Sequence, residues 1–209
     1  MKSELEHEIK LTLVNGNSSE IMDKALTVPF IYGGSVFISE HYTDYYYDTP
    51  EGDFYSTSGS LRVREFSDGK RRITLKSFVS DKDGILTRNE SEGLIVESNE
   101  EAVLRVVKST FPEFDGEVNH VITLETHRWM MSTASYTVCV DNCRYLDPSD
   151  NSEIQSFVEL EIESMREAIN YSDEVRNFVS VMESTFGMAA VTDSKYKRGY
   201  NVIEELKSR

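Results

Sequence analysis

The sequence predicts an α+β fold: one domain over residues 1–209, built on a mainly antiparallel sheet of about eight strands with three or four helices. Three observations predict it. Several segments alternate apolar and charged residues with the period of two that marks a strand with one packed and one polar face. Most connections between those segments are too short for parallel crossovers. A few stretches switch to the spacing of an amphipathic helix.

Each element has its own warrant. In the first strand Leu5, Ile9, Leu11 and Leu13 share one face, while Glu6, Glu8 and Lys10 share the other. Residues 15–19 (Asn-Gly-Asn-Ser-Ser) break the chain. Ser19 to Val28 places Ile21, Met22, Ala25 and Leu26 at helical spacing, with Pro29 as a stop. Gly33-Gly34 turns the chain, and Val36–Ser39 and Thr43–Tyr47 follow as short strands, the latter favoured by its aromatic run. Pro50 to Gly59 is a loop by composition. Ser60–Glu65 then sets Leu61 and Val63 against Arg62 and Arg64, and Asp68-Gly69 turns the chain. Arg72–Phe78 sets Ile73 and Leu75 against Thr74 and Lys76; after a turn over 81–84, Leu86–Glu92 carries Arg88, Glu90 and Glu92 on one parity.

At Ser98 the spacing changes. Ser98 with Glu101 forms a capping-box pattern, and Val103, Leu104, Val106, Val107 and Phe111 make a helical apolar face that ends by Pro112. Val118–Arg128, Tyr136–Asp141 and Phe157–Glu163 are further strands. The last opposes Val158, Leu160 and Ile162 to Glu159, Glu161 and Glu163. Asn170 and Asp173 cap a helix with Val175, Phe178, Val179 and Met182 inside, which Gly187 ends. A short helix follows from Asp193 to Lys207.

Composition narrows the function. With 22 Lys+Arg against 37 Asp+Glu, the formal net charge is -15. That excludes a generic basic footprint for DNA or RNA, and anionic membranes should repel such a surface. A local cluster with bound metal can still invert the field for an anionic ligand. The start MKSELEHEIK does not resemble a secretory signal, and no stretch approaches a transmembrane helix. Cys139 and Cys143, if both in one extended strand, would be about 13 Å apart, too far for a disulfide. A reduced cytoplasmic protein is the expectation.

Read together, the strands collect one polar parity: Glu6, Glu8, Lys10, Arg62, Arg64, Lys76, Arg88, Glu90, Glu92, Arg128, Asp141, Glu159, Glu161 and Glu163. Strand by strand, a solvated sheet face or structural ion pairs explain such charges equally well. As a set they point inward, because a solvated face would mix more Thr, Ser, Gln and Asn among its charges. A sheet of about eight strands that curls into a barrel encloses room for a small ligand. Carboxylates there favour Mg²⁺ or Mn²⁺, and Glu6, Glu8, Glu159 and Glu161 are the candidate set. Zinc is disfavoured, since no Cys/His cluster has useful spacing. His7 and His127 lie on the apolar parity, suited to packing or hydrogen bonding, and His41 and His120 read as surface residues. Arg62, Arg64 and Arg128 offer forks for phosphate oxygens, with Lys10 and Lys76 as point charges. There is no Walker loop, Rossmann fingerprint or nucleophile elbow.

The motifs, in order, resemble the CYTH, or triphosphate tunnel metalloenzyme, superfamily. Its ExExK signature matches Glu6-His7-Glu8-Ile9-Lys10. The resemblance continues through Tyr46-Tyr47-Asp48-Thr49, Leu61-Arg62-Val63-Arg64, Leu75-Lys76, and Arg88, Glu90 and Glu92. It ends with Arg128, Asp141, Glu159-x-Glu161-x-Glu163 and the basic segment Ser194-Lys195-Tyr196-Lys197-Arg198.

The resemblance implies an eight-stranded, mainly antiparallel β-barrel, a tunnel with flanking helices and a charged lumen. It implies metal-dependent hydrolysis of a triphosphate, inorganic or organic, with Mg²⁺ or Mn²⁺ as cofactor and a small-molecule triphosphate as partner. By carry-over Lys10, Arg62, Arg64, Lys76, Arg128, Lys195 and Arg198 bind substrate. Glu6, Glu8, Glu159 and Glu161 hold metal or position water, and Glu6, Glu8, Lys10 and Lys76 form the catalytic set. Arg88, Glu90, Glu92, Asp141 and Glu163 share the lumen. Two other readings stay open: a class IV-type adenylyl cyclase releasing pyrophosphate from ATP, and a non-catalytic polyphosphate- or nucleotide-binding module. The oligomeric state is open, a homodimer being one possibility.

Overall fold

The computed structural model describes residues 2–26, 36–82, 85–97, 99–110, 114, 116–132, 136–164 and 173–208. The side chains of 2–7, 36, 81, 82, 85, 86, 88 and 110 are outside that description. Eight long strands carry the fold: β1 (Lys2–Val14), β2 (Val36–Asp48), β3 (Ser60–Phe66), β4 (Arg71–Lys82), β5 (Ile85–Leu94), β6 (Asn119–Ser132), β7 (Tyr136–Leu146) and β8 (Glu153–Ser164). A ninth, β9 (Ala189–Ala190), is a two-residue addition to β1 at Leu11 and Thr12 that the alternation pattern is too short to reveal. The helices are α1 (Ser18–Leu26), α2 (Asp53–Ser56), α3 (Glu100–Thr110), α4 (Asp173–Phe186) and α5 (Lys195–Lys207).

Adjacent strands run in the order β5-β4-β3-β2-β6-β7-β8-β1, all antiparallel. The first strand also pairs with the fifth, so the pairings return on themselves. The seam is staggered. Residues Lys2–Glu8 of β1 meet β5, residues Glu8–Val14 meet β8, and Glu8 alone belongs to both registers.

Strands run longer than the sequence suggests, for a physical reason. Val36–Ser39 and Thr43–Tyr47 are parts of one strand, β2, because Glu40, His41 and Tyr42 stay in register with β6. The segment 50–59 is not all loop: it holds α2, whose first amides are caught by Asp48. Its Oδ1 accepts from the Phe54 N–H at 2.9 Å and its Oδ2 from that of Tyr55 at 2.9 Å. At α3 the cap is Asn99, whose Oδ1 accepts from the Ala102 N–H at 2.8 Å; Ser98, half of the predicted capping box, lies outside the described residues. So do Val28, Pro29, Gly33-Gly34, Phe111, Pro112 and Asn170. Gly187 ends α4 as predicted, with φ +67° and its N–H on the Glu183 carbonyl, in the left-handed region that glycine enters without strain.

Apolar packing is divided between the outside of the ring and one end of its inside. Outside, Ile21, Met22 and Ala25 of α1 and Val175, Phe178 and Met182 of α4 cover Leu11, Val138, Val140, Val158, Leu160 and Ile162. Val103 and Val107 of α3 cover Tyr47, Leu61, Val63 and Ile73. Inside, Tyr196 and Ile203 of α5 pack with Tyr46, Ile122, Leu124, Tyr145 and Phe157. The approach is close: a Cβ on Gly199 would lie 2.4 Å from Ile122 Cδ1 and 2.7 Å from Tyr145 Cε1. Both cysteines lie buried and free on β7, consistent with the reach argument.

Candidate active site

The registers align every described member of the predicted polar parity on one face. Lys10 sits opposite Glu161 and Glu8 opposite Glu163 between β1 and β8. Asp141 sits opposite both Arg128 on β6 and Glu159 on β8. Lys76 sits opposite Glu90, and Arg62 and Arg64 follow one another on β3. Glu6 and Arg88 are register partners across β1 and β5; their side chains lie outside the described residues. This face encloses a cavity of about 250 Å³, with the first turn of α5 bringing Ser194, Lys195 and Tyr196 into its wall.

The first turn of α5 is fixed from several sides. Ser194 Oγ caps it by accepting from the Lys197 N–H at 3.1 Å. Tyr145 Oη donates to the Lys195 carbonyl at 2.7 Å, and Tyr196 Oη donates to Asp48 Oδ2. Asp48 therefore joins α2 to α5 and is structural rather than a lumen residue.

One wall holds a compact carboxylate group. Asp141, Glu159 and Glu161 each place an oxygen within 4.8 Å of the others. Lys195 Nζ lies 2.6, 2.8 and 3.0 Å from Asp141, Glu159 and Glu161 respectively. Arg128 forks onto Asp141 at 2.7 and 2.6 Å and also reaches Glu161, while Arg198 pairs with Glu159. Burial alone would raise the Glu161 carboxyl, but Lys195 and Arg128 outweigh it and hold it well below the usual carboxylate range. Burial alone would lower the Lys195 ammonium, and the three carboxylates hold it well above its ordinary value instead. All three acids are buried, so this group stays charged only as an interlocked set.

Across β2, β3 and β4 lies a cationic wall. Asp44 grips Arg64 with both oxygens, at 2.8 and 2.9 Å, and Arg62 at 3.3 Å. The Arg64 guanidinium also lies over the Tyr42 ring, 3.5 Å from its centroid. Lys76 is 3.2 Å and Arg62 3.8 Å from Glu90, and Arg72 pairs with Glu92 at the more exposed end. On β1, Lys10 and Glu8 pair at 2.9 Å, both nearly fully buried.

The cavity wall carries seven cations (Lys10, Arg62, Arg64, Arg72, Lys76, Arg128, Lys195) and five carboxylates (Glu8, Glu90, Glu92, Glu161, Glu163). Asp44, Asp141, Glu159 and Arg198 stand just behind it. Among the described side chains, the interior is thus near neutral inside a chain of net charge -15, with cations and carboxylates paired on each wall. Three groups escaped the sequence reading. Asp44 and Tyr42 lie on the inner parity of β2, masked by an aromatic run that suggests ordinary packing; extending the parity rule along the full strand finds them. Arg72 continues the parity of Lys76.

Lys195 and Arg198, expected as phosphate ligands, rest on carboxylates here, as do Lys10, Arg62, Arg64, Lys76 and Arg128, and Arg198 also donates to Thr12 Oγ1 at 3.1 Å. His120 is not a plain surface residue: a bulge opposite Tyr46 and Tyr47 turns it outward between the Tyr45 and Tyr47 rings, 5.6 Å from each. Trp129 packs against the outer core and not the lumen. The Cys139 thiol, near Glu161 and Glu163, is pushed well up by burial and is no thiolate ligand.

These features define a class of protein: an antiparallel sheet ring whose interior interlocks carboxylates with guanidinium and ammonium groups. The family model of the CYTH domain matches residues 4–183, and the chain belongs to that family. Solved structures share the fold. HpAC1 from Hippeastrum, described as having a dominant triphosphatase activity, superposes with a TM-score of 0.62 at 19% identity, covering 94% of this chain and 95% of that one. A Bacillus halodurans protein given the provisional description of adenylate cyclase has a TM-score of 0.59 at 21% identity, with 95% and 98% covered. The PH1819 protein of Pyrococcus horikoshii has a TM-score of 0.52 at 21% identity, with 97% and 99% covered. No curated protein sequence matches the chain. Among the described residues no helix is long and apolar enough to cross a membrane.

Proposed function

We propose that this protein hydrolyses a small triphosphate with the help of Mg²⁺ or Mn²⁺. The observation that carries the reading is that one cavity brings Glu161, backed by Asp141 and Glu159, together with Arg62, Arg64 and Lys76. The donor set fits a hard cation, being all oxygen and already arranged around one positive charge, the Lys195 ammonium. Glu159 Oε1 is buried without an aligned hydrogen bond although that ammonium is 2.8 Å away, which leaves it capacity for a ligand bond. A near-neutral interior is poorly matched to a bare polyanion and better matched to a metal–triphosphate complex, whose charges partly cancel.

On this reading Asp141, Glu159 and Glu161 hold the ion, with Glu6 and Glu8 of β1 contributing to the ion or orienting the attacking water. The ion supplies charge neutralisation and a more acidic bound water. Arg62, Arg64, Lys76 and Lys10 bind the phosphate oxygens and stabilise the charge that develops on them. Arg128 and Lys195 position the carboxylates and reach the phosphate chain from that side. The strongly lowered Glu161 carboxyl suits a ligand and not a general base. Likeness to HpAC1 supports hydrolysis over cyclisation, because its description gives triphosphatase activity as dominant.

The test is product analysis with tripolyphosphate, ATP and thiamine triphosphate, each with Mg²⁺ and with Mn²⁺. Metal-dependent orthophosphate release that Glu161→Gln abolishes is the expected result. Cyclic AMP with pyrophosphate would select the cyclase, and tight binding with no product would select a non-catalytic module.

A further inference from the structure

We propose a second metal site, for a borderline divalent ion such as Cu²⁺, Ni²⁺ or Zn²⁺, at the His41–His127 pair on the outer wall of the sheet. The two residues are direct register partners across β2 and β6, which holds their Cβ atoms about 5 Å apart. Their rings are stacked, with centroids 3.7 Å apart and planes 22° apart. Two nitrogen ligands on a tetrahedral ion, each about 2.0–2.1 Å from it, stand about 3.3 Å from each other. Binding one ion with both imidazoles would turn the rings out of this stack about their side-chain torsions, the backbone register already holding the two side chains within reach.

Further contacts prepare the site. His127 Nε2 lies 2.9 Å from Ser39 Oγ. With the ring donating that bond, Nδ1 keeps its lone pair, the arrangement in which a neighbour fixes the tautomer of a metal-binding histidine. Trp129 also packs on His127, with a centroid distance of 3.9 Å. Burial first, and then the neighbouring His41, push the His127 imidazole below its ordinary value. A groove of about 630 Å³ runs over both rings and admits an ion with its waters. Glu125, on the same face, is engaged by Arg144. The protein thus supplies two imidazoles, and water completes the shell.

The ligand chemistry separates this site from the cavity. Imidazole nitrogen selects borderline transition ions, whereas the all-oxygen group inside selects Mg²⁺ or Mn²⁺. The site also spans β2 and β6, so its occupant would clamp the two strands that carry Asp44 and Arg128 on their other face.

The experiment titrates tag-free, full-length protein with Cu²⁺ in excess Mg²⁺, read by calorimetry and by electron paramagnetic resonance. One Cu²⁺ per chain with micromolar affinity and nitrogen superhyperfine splitting is expected. His41→Ala and His127→Ala should each weaken binding at least about tenfold and remove one nitrogen, and Ser39→Ala should weaken it less. Glu161→Gln should leave it unchanged, and circular dichroism checks that each variant is folded. Affinity unaffected by both histidine replacements, or a spectrum of oxygen ligands alone, would overturn the site.

Discussion

Replacing Asp44 by asparagine tests whether one buried carboxylate organises the cationic wall. Asp44 is fully buried and holds Arg62 and Arg64 together. Burial alone would raise its carboxyl, but Arg64 and then Arg62 outweigh burial and bring it from 3.8 to about 2. A gap of just under two units corresponds to about 2 kcal/mol of stability at neutral pH. Leaving two adjacent guanidiniums without a counter-charge raises the cost toward about 3–5 kcal/mol. For a chain of this size, the lower figure alone lowers Tm by about 4–8 °C. The sign of the pH dependence follows from the lowered value. The contribution is complete above the unfolded value near 3.8 and is lost as pH falls through about 2. Thermal denaturation of wild type and Asp44→Asn should therefore show a constant gap from neutral pH to about pH 5, closing toward pH 2. Tripolyphosphate should raise the Tm of the variant more than that of wild type, since it restores negative charge beside Arg62 and Arg64. Equal melting temperatures at neutral pH, or a gap that persists at pH 2, would refute this account of the wall.

Three shorter predictions follow from the same geometry. Gly199→Ala should cost about 1–3 kcal/mol by overpacking, because the added carbon meets buried Ile122 and Tyr145; an unchanged Tm would mean that α5 sits less deeply in the ring. Lys195→Met should tighten Mn²⁺ binding while lowering stability without metal, since Asp141, Glu159 and Glu161 lose their shared ammonium; calorimetry showing weaker Mn²⁺ binding would contradict it. Tyr196→Phe removes the hydrogen bond to Asp48 and should cost about 1–3 kcal/mol, seen as a lower denaturation midpoint.

What could be read from the sequence was what is local. The period-two alternation in β1, β3, β4 and β8 survives into the structure because each residue's side follows from its neighbours along the strand. Lys10, Arg62, Lys76, Arg128 and Glu161 were therefore assignable to one face before any pairing was known. The pairings themselves depend on residues far apart, so the staggered seam at Glu8 and the two-residue β9 left no local trace. Helix α2 was hidden by its length of four residues, since its amides are satisfied by Asp48 and not by a repeating pattern. The carboxylate partners of Lys195 were out of reach for a related reason: a lysine in a basic segment suggests an anion ligand, and only the fold brings Asp141, Glu159 and Glu161 to it. The aromatic run over 45–47 concealed how β2 divides its labour, with Tyr46 turned to the interior cluster and Tyr47 to the outer one.

The staggered seam also bears on how the chain reaches its native state. The first strand is synthesised first, yet the partner for its second half, β8, comes from the far end of the chain. At a synthesis rate of about 5–20 residues per second, β1 waits on the order of ten seconds or more for that partner to emerge. Through that interval the edge formed by Ile9, Leu11 and Leu13 has no β8 beside it, and the barrier to folding includes closing the long loop from β1 to β8. The first strand of the ring is the one whose pairings complete it.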